Sequence, residues 1–409
     1  MYAVDGVARL SHVRAMALGA TRMIAAQRNR ELQWMRAAAA LCVVVYHAGV
    51  YLERFTGDAR FSALFDGRLG FLGVAIFFAL SGYLMAEILP RTDAATFLLH
   101  RVVRIYPVFL LVFATLYVAR RKWDDYDLLA LSLVPVGSGR TYYLGVEWTL
   151  LFEVTFYVFL YLVALAGLQR RLSLIALIWI GVAAMGSWAF PAVQTVLTPT
   201  IDLVPLMAVN AAFAGGLLIP TLRERAVFTP FLGLVAVLIC FWFGTGGFIG
   251  DRWIAAVAAV ILVGLCVSLR TDATMARPIS LRALDRYGDW SYALYLCHVP
   301  LIIGIMIGDP PIPSLLLWVS GILLPLVVAI PFGIADVWFY RHAKRWADSL
   351  GSRRRKTLAA GYIMLFIGVA VYATVFGFHP AASAIPTTIA TDNLPKATLS
   401  IPLRPEAVR

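Results

Sequence analysis

Arg36 and His47 stand eleven residues apart, and everything between them, Ala37 to Tyr46, is Ala, Leu, Cys, Val or Tyr. In a helix the two are roughly 16 Å apart, about half of a hydrocarbon core of roughly 30 Å. Such a helix carries a guanidinium at one membrane face and an imidazole near the middle. Ionisable groups at that depth are costly, so they turn towards a protein interior or a water-filled cavity and mark a pathway or a reaction. Each also has a plain use: a membrane histidine often satisfies one packing hydrogen bond, and an arginine at a helix mouth anchors topology.

Three further clusters could join them. Glu153 lies about two turns into the apolar run Trp148-Thr-Leu-Leu-Phe-Glu153-Val-Thr-Phe-Tyr157. It shares a helix face with Tyr157 at i+4. A buried carboxylate needs a partner, and His47 at matching depth is the expected one. Arg101 and Arg104, at i and i+3, present a forked pair suited to phosphate or diphosphate. Such pairs are also ordinary anchors at the basic face of a membrane. Gly73-Val-Ala-Ile-Phe-Phe-Ala-Leu-Ser81-Gly82-Tyr83 offers small residues for close helix packing and a hydroxyl at Ser81.

The elements that must position these groups are membrane helices. The 409 residues are 61% hydrophobic and only 14% charged, more apolar surface than a soluble domain can hide. The net charge of +12 does not point to nucleic acid, because the cations fall beside hydrophobic runs. Apolar segments of spanning length occur near 35–52, 69–89, 105–119, 145–167, 173–190, 203–220, 228–244, 253–269, 291–308, 314–339 and 358–378. With a cytoplasmic N-terminus, most of the 35 Lys and Arg fall on the inside, as the positive-inside rule expects. Arg120-Arg121-Lys122 runs against that pattern and is partly offset by Asp124 and Asp125. The stretch 123–145 reads as an external loop or interfacial helix. Residues 1–30 are a basic N-terminal tail without an apolar signal region, and residues 379–409, with five prolines, an irregular external tail. Cys42, Cys240, Cys266 and Cys297 lie in apolar runs without metal-ligand spacing. No metal-binding motif is expected.

Taken together, the clusters resemble the acyltransferase 3 family of bacterial membrane-bound O-acyltransferases. The matching residues, in the family's order, are Arg36-x10-His47, Gly73-Val-x-x-Phe77-Phe78-x-x-Ser81-Gly82-Tyr83, Arg101-x-x-Arg104-Ile105-x-Pro107, Trp148-Thr149-Leu150 with Glu153 and Tyr157, and Ser291-Tyr292-x-Leu294-Tyr295-Leu296-x-His298. They span roughly residues 30–345. The Trp-Thr-Leu-x-x-Glu form is closer to the branch that modifies exopolysaccharides. Two departures stand out: Ala75 where many members carry an acid, and Asp336 in the stretch comparable with the family's late glutamate motif.

The resemblance implies an all-α polytopic transmembrane helix bundle, a ten-helix acyltransferase core with one extra C-terminal helix. The membrane domain would cover 31–345, followed at 346–378 by a cytoplasmic basic loop and the extra helix. The implied reaction moves an acyl group, acetyl first, from cytosolic acyl-coenzyme A to a hydroxyl of an exopolysaccharide, lipopolysaccharide or lipid-linked glycan. No cofactor is bound; acyl-coenzyme A is a co-substrate, the bilayer and the glycan are partners, and nucleic acid is not. The location is a bacterial cytoplasmic membrane. His47 and Glu153 would be catalytic, with Glu153 orienting the imidazole as the carboxylate of a catalytic triad does. Arg36, Arg101 and Arg104 would hold the donor, while Ser81, Trp148, Tyr157 and His298 would line the site. The rival readings are a secondary transporter or glycan flippase, and a non-catalytic membrane scaffold.

Sidedness is testable directly. In a background lacking the four cysteines, Ser138→Cys is expected to react with a membrane-impermeant thiol reagent in intact cells and Ser352→Cys is not. The reverse pattern would invert the orientation.

Overall fold

Each of the eleven apolar segments becomes a helix. The computed structural model describes residues 31–121, 127–242, 247–269 and 279–376; the two tails and 122–126 lie outside them. The long helices are α1 (Glu31–Thr56), α3 (Gly67–Ile88), α4 (Ala94–Arg120), α6 (Glu147–Leu165), α7 (Leu172–Ala189), α8 (Asn210–Glu224), α9 (Pro230–Trp242), α10 (Phe248–Ser268), α11 (Ile279–Met306), α12 (Ser314–Ser349) and α13 (Ser352–Phe376). Two short helices, α2 (Arg60–Leu64) and α5 (Leu128–Leu131), sit in connections. Among the described residues nine helices are long and apolar enough to cross a membrane. The chain is an all-α, multi-pass membrane bundle.

Helix α1 packs one face into the bundle. Ala39, Ala40, Val43, Val44, Ala48 and Leu52 are buried along it, and α3, α10, α11 and α12 close around it. A Cβ on Gly73 would meet Ala39 O and the Val43 side chain at 2.7 Å, and one on Gly321 of α12 would meet Met306 and Ala48. At its first turn, Trp34 donates to Asp285 of α11 at 2.7 Å and Cys266 of α10 donates to the Glu31 carbonyl. Helix α3 crosses α8 as closely: a Cβ on Gly82 would collide with the Phe213 carbonyl. Without a hydrophobic drive between helices in lipid, such small-residue contacts supply the packing.

Capping decides where helices begin. Asp66 accepts from the Arg68 amide at the start of α3, and Asp93 accepts from the Thr96 amide at 3.0 Å at the start of α4. Helix α4 therefore starts eleven residues before the apolar run, so Arg101 and Arg104 lie about two turns inside it rather than at its mouth. Helix α6 opens on Glu147, buried at 2% exposure, whose carboxylate accepts from the Leu144 and Val146 amides at 2.6 and 3.0 Å.

Two expectations change. The segment near 203–220 is helical only from Asn210, and α8 (15 residues) and α9 (13) are short. The preceding backbone is held by buried amides: Asn210 Nδ2 donates to Val204 O, Gln194 Nε2 to Leu206 O, and Gln194 Oε1 accepts from the Ala208 amide. Non-helical backbone inside a membrane protein is tolerated where protein groups satisfy it in this way. The basic stretch after 340 is likewise not a loop. Helix α12 continues to Ser349 and α13 starts at Ser352, leaving a two-residue joint. At 36 residues, α12 is roughly 54 Å long, well beyond a hydrocarbon core.

The close approach at Gly73 yields a prediction. Gly73→Leu is expected to lower the melting temperature of the detergent-solubilised protein, by the roughly 1–3 kcal/mol of overpacking or more. An unchanged melting temperature would mean that α1 and α3 are not held this closely.

Candidate active site

Helices α1, α3, α4, α6, α11 and α12 enclose a cavity of about 480 Å³. Its wall combines Gln33, Arg36, Arg101, Arg104, Glu153, Asp289 and Arg341 with Ser81, Thr149, Tyr157, Tyr295 and apolar side chains such as Phe77.

The arginines differ in what already holds them. Arg104 Nη1 donates to Asp336 Oδ1 at 2.6 Å, with Asp336 only 1% exposed. Its guanidinium also lies 5.5 Å from the Tyr292 ring and 5.3 Å from Tyr340. Arg104 is thus anchored by a carboxylate and two aromatic faces. Arg101 lies 5.8 Å from the Tyr157 ring, and among the described residues the Nε atoms of Arg36 and Arg101 have no hydrogen-bond partner. A buried donor without an acceptor is expensive, so on the cavity wall the Arg36 and Arg101 guanidinia keep capacity for an anionic ligand.

Glu153 pairs locally. Its Oε1 accepts from the Tyr157 hydroxyl at 2.5 Å, and Ser81 Oγ lies 3.2 Å from the same phenol oxygen. The i, i+4 spacing that puts Glu153 and Tyr157 on one face of α6 produces this bond. The expected partnership with His47 is not formed. Thr149 and Tyr295, bonded to each other at 2.8 Å, also line the cavity, and His47 finds its partner on α11 instead.

That partner is His298. His298 Nε2 lies 3.1 Å from His47 Nδ1, which also lies 3.0 Å from Val43 O, while His298 Nδ1 lies 2.7 Å from Tyr295 O. A neutral imidazole has one N–H and one lone pair, so the network fixes the tautomers. His298 Nδ1–H donates to the Tyr295 carbonyl, and its Nε2 accepts. His47 Nδ1–H is then shared between His298 Nε2 and Val43 O. His47 Nε2 keeps its lone pair free, which is the arrangement of a general base. His298 is fully buried and His47 part-buried. Among the described residues neither lines the cavity, but the Tyr295 ring that does is 5.6 Å from the His298 ring.

The site residues named from sequence are therefore divided. Arg36, Arg101, Arg104, Ser81, Glu153 and Tyr157 share one cavity. His47 and His298 form a pair behind its Tyr295 end. Trp148 lies elsewhere, 5.7 Å from the guanidinium of Arg252, which also faces Phe71 and Phe248. Arg252 is 6% exposed, and its three rings supply cation–π contacts in place of an acid. Tyr295, Thr149 and Asp336 were not singled out as site residues by type or spacing. The i, i+3 step from Tyr295 to His298 was a usable signal.

The chain was also compared with known proteins. A family model described as an acyltransferase domain matches residues 29–334. Nodulation protein 10 of Rhizobium leguminosarum bv. viciae is 29% identical over 317 residues, covering 66% of this chain and 83% of that protein. No solved structure matches the chain.

The buried ion pair is testable through stability. Asp336→Ala leaves Arg104 uncompensated and is expected to cost about 3–5 kcal/mol. In a double-mutant cycle with Arg104→Ala, read by denaturation in detergent, the coupling is expected to exceed about 1 kcal/mol. Additive losses would mean that the pair is not formed.

Proposed function

The chain belongs to the acyltransferase domain family, and from that premise we propose that this membrane acyltransferase moves a short acyl group, acetyl first, from acyl-coenzyme A to a glycan hydroxyl. The observation that supports the reading best is the cavity that runs from the Arg36 and Arg101 guanidinia to a tyrosine backed by the His47–His298 pair. Its cationic end suits the phosphates of a coenzyme A thioester, and its apolar middle suits the pantetheine arm. The spacing of Arg36 and His47 on α1 sets the distance that arm must bridge.

The arginine end faces the cytoplasm in this reading, in a bacterial inner membrane with a cytoplasmic N-terminus. Arg36 and Arg101 bind the donor directly. Arg104, anchored by Asp336, adds charge without needing to move. Glu153, held by Tyr157 and Ser81, is an acceptor for an amide or hydroxyl hydrogen of the donor, so its role is positioning of the thioester. His47 Nε2 takes the proton of the acceptor hydroxyl, which approaches from the opposite face as an exopolysaccharide, lipopolysaccharide or lipid-linked glycan. His298 holds the imidazole in the tautomer that leaves Nε2 unprotonated and shares the imidazolium charge when it forms. Attack on the thioester carbonyl then expels the thiolate, which His47 protonates.

His298 takes the orienting part expected of Glu153. With membership of an acyltransferase family, neither the transporter nor the scaffold reading has an observation in its favour.

The test is acyl transfer by purified protein, with glycan acylation in cells followed by mass spectrometry. His47→Ala is expected to lower transfer by roughly 10²- to 10⁴-fold at unchanged abundance in the membrane. Near-normal transfer by this variant would remove His47 from the reaction.

A further inference from the structure

Tyr295 touches both parts of the site. Its ring lines the cavity, 5.9 Å from Phe77, and lies 5.6 Å from His298. Its carbonyl accepts from His298 Nδ1, so the backbone that positions the phenol also orients the histidine pair. Its hydroxyl, fully within the bundle, lies 2.8 Å from Thr149 Oγ1. Thr149 in turn donates its only hydroxyl hydrogen to Val146 O at 3.0 Å. A hydroxyl has one hydrogen to give, so Tyr295 is the donor towards Thr149. A phenol O–H on the cavity wall therefore points at Thr149 Oγ1.

Resting on the function proposed above, we infer that Tyr295 is the oxyanion donor of the reaction: its hydroxyl passes from Thr149 Oγ1 to the thioester carbonyl oxygen. The steps balance without a further reactant. The acceptor oxygen forms a bond to the carbonyl carbon and its proton goes to His47 Nε2. The carbonyl π pair moves onto oxygen, where the Tyr295 O–H donates to it. The pair returns, the carbon–sulfur bond breaks, and the thiolate takes the proton from His47. Thr149 Oγ1 is the neutral acceptor that keeps the phenol aimed and satisfied while no donor is bound. A donor preorganised in a water-poor site stabilises developing charge without reorganisation, which is where electrostatic catalysis gains most.

The role differs from that of a packing tyrosine in what it changes. Tyr295→Phe keeps the ring and removes only the hydrogen-bond donor. It is expected to lower kcat by about 10²- to 10³-fold, with KM for acetyl-coenzyme A near the wild-type value. A kcat within a few-fold of wild type would overturn the inference. A second variant guards against loss of folding: 3,5-difluorotyrosine at position 295 keeps the shape and the bond but makes the phenol more acidic. Its kcat is expected to fall at lower alkaline pH than that of the wild type, because the ionised phenolate cannot donate. A profile that does not move would equally overturn the proposal. His47→Ala, assayed beside them, separates the two readings. An inactive His47 variant with an active Tyr295→Phe removes only the oxyanion role, whereas wild-type protein that transfers no acyl group from acetyl-coenzyme A removes the proposed function itself.

Discussion

The site depends on how closely other helices can approach α1. A single helix carries a guanidinium at Arg36 and an imidazole at His47, and neither charge-bearing group is stable against lipid tails. The chain meets this constraint by packing other helices against one face of α1. Gly73 lets α3 approach to within contact of Ala39 and Val43, Gly321 lets α12 reach Ala48, and α11 lays His298 against His47. The rest of the arrangement follows from that enclosure. The cavity is the space that these helices and α4 and α6 leave on the arginine side, and the histidine pair is what they close over beyond it.

The polar groups inside the bundle are handled in three physical ways. Some are satisfied permanently, as Glu147 is by two backbone amides and Arg104 by Asp336. Arg252 is met by three aromatic faces. Others keep unspent capacity: the Nε donors of Arg36 and Arg101 and, through the tautomer set by His298, the Nε2 lone pair of His47. The first two groups hold helices in register and the third can act on a ligand. Burial alone does not separate them, and neither does an unpartnered Nε, which Arg252 shares with Arg36 and Arg101; a place on the cavity wall does.

Much of this was legible in the sequence, for reasons that also explain what was not. Apolar runs of spanning length gave all eleven helices, because lipid admits no other way to satisfy the backbone. The i, i+4 step from Glu153 to Tyr157 put both on one face, and the bond between them follows. Helix ends were less visible. Helix α4 is extended to Ala94 by the Asp93 cap, and α12 continues past its apolar run through Arg341 to Ser349; hydropathy marks apolar runs, not where hydrogen bonding ends. The partner of His47 was the hardest to see. His298 is 251 residues away, and depth along a helix does not tell which neighbour a side chain faces. Glu153 matched the depth that sequence could estimate, but α11 rather than α6 carries the group against the imidazole.

The account turns on where the acyl donor lies, and a cryo-electron microscopy structure with a thioether analogue of acetyl-coenzyme A tests it most directly. The diphosphate is expected between Arg36 and Arg101, the pantetheine arm along the cavity past Glu153, and the acyl carbonyl beside Tyr295 on the side of His47. An analogue bound with its acyl carbonyl away from Tyr295 and the histidine pair, or held outside this cavity, would contradict the account.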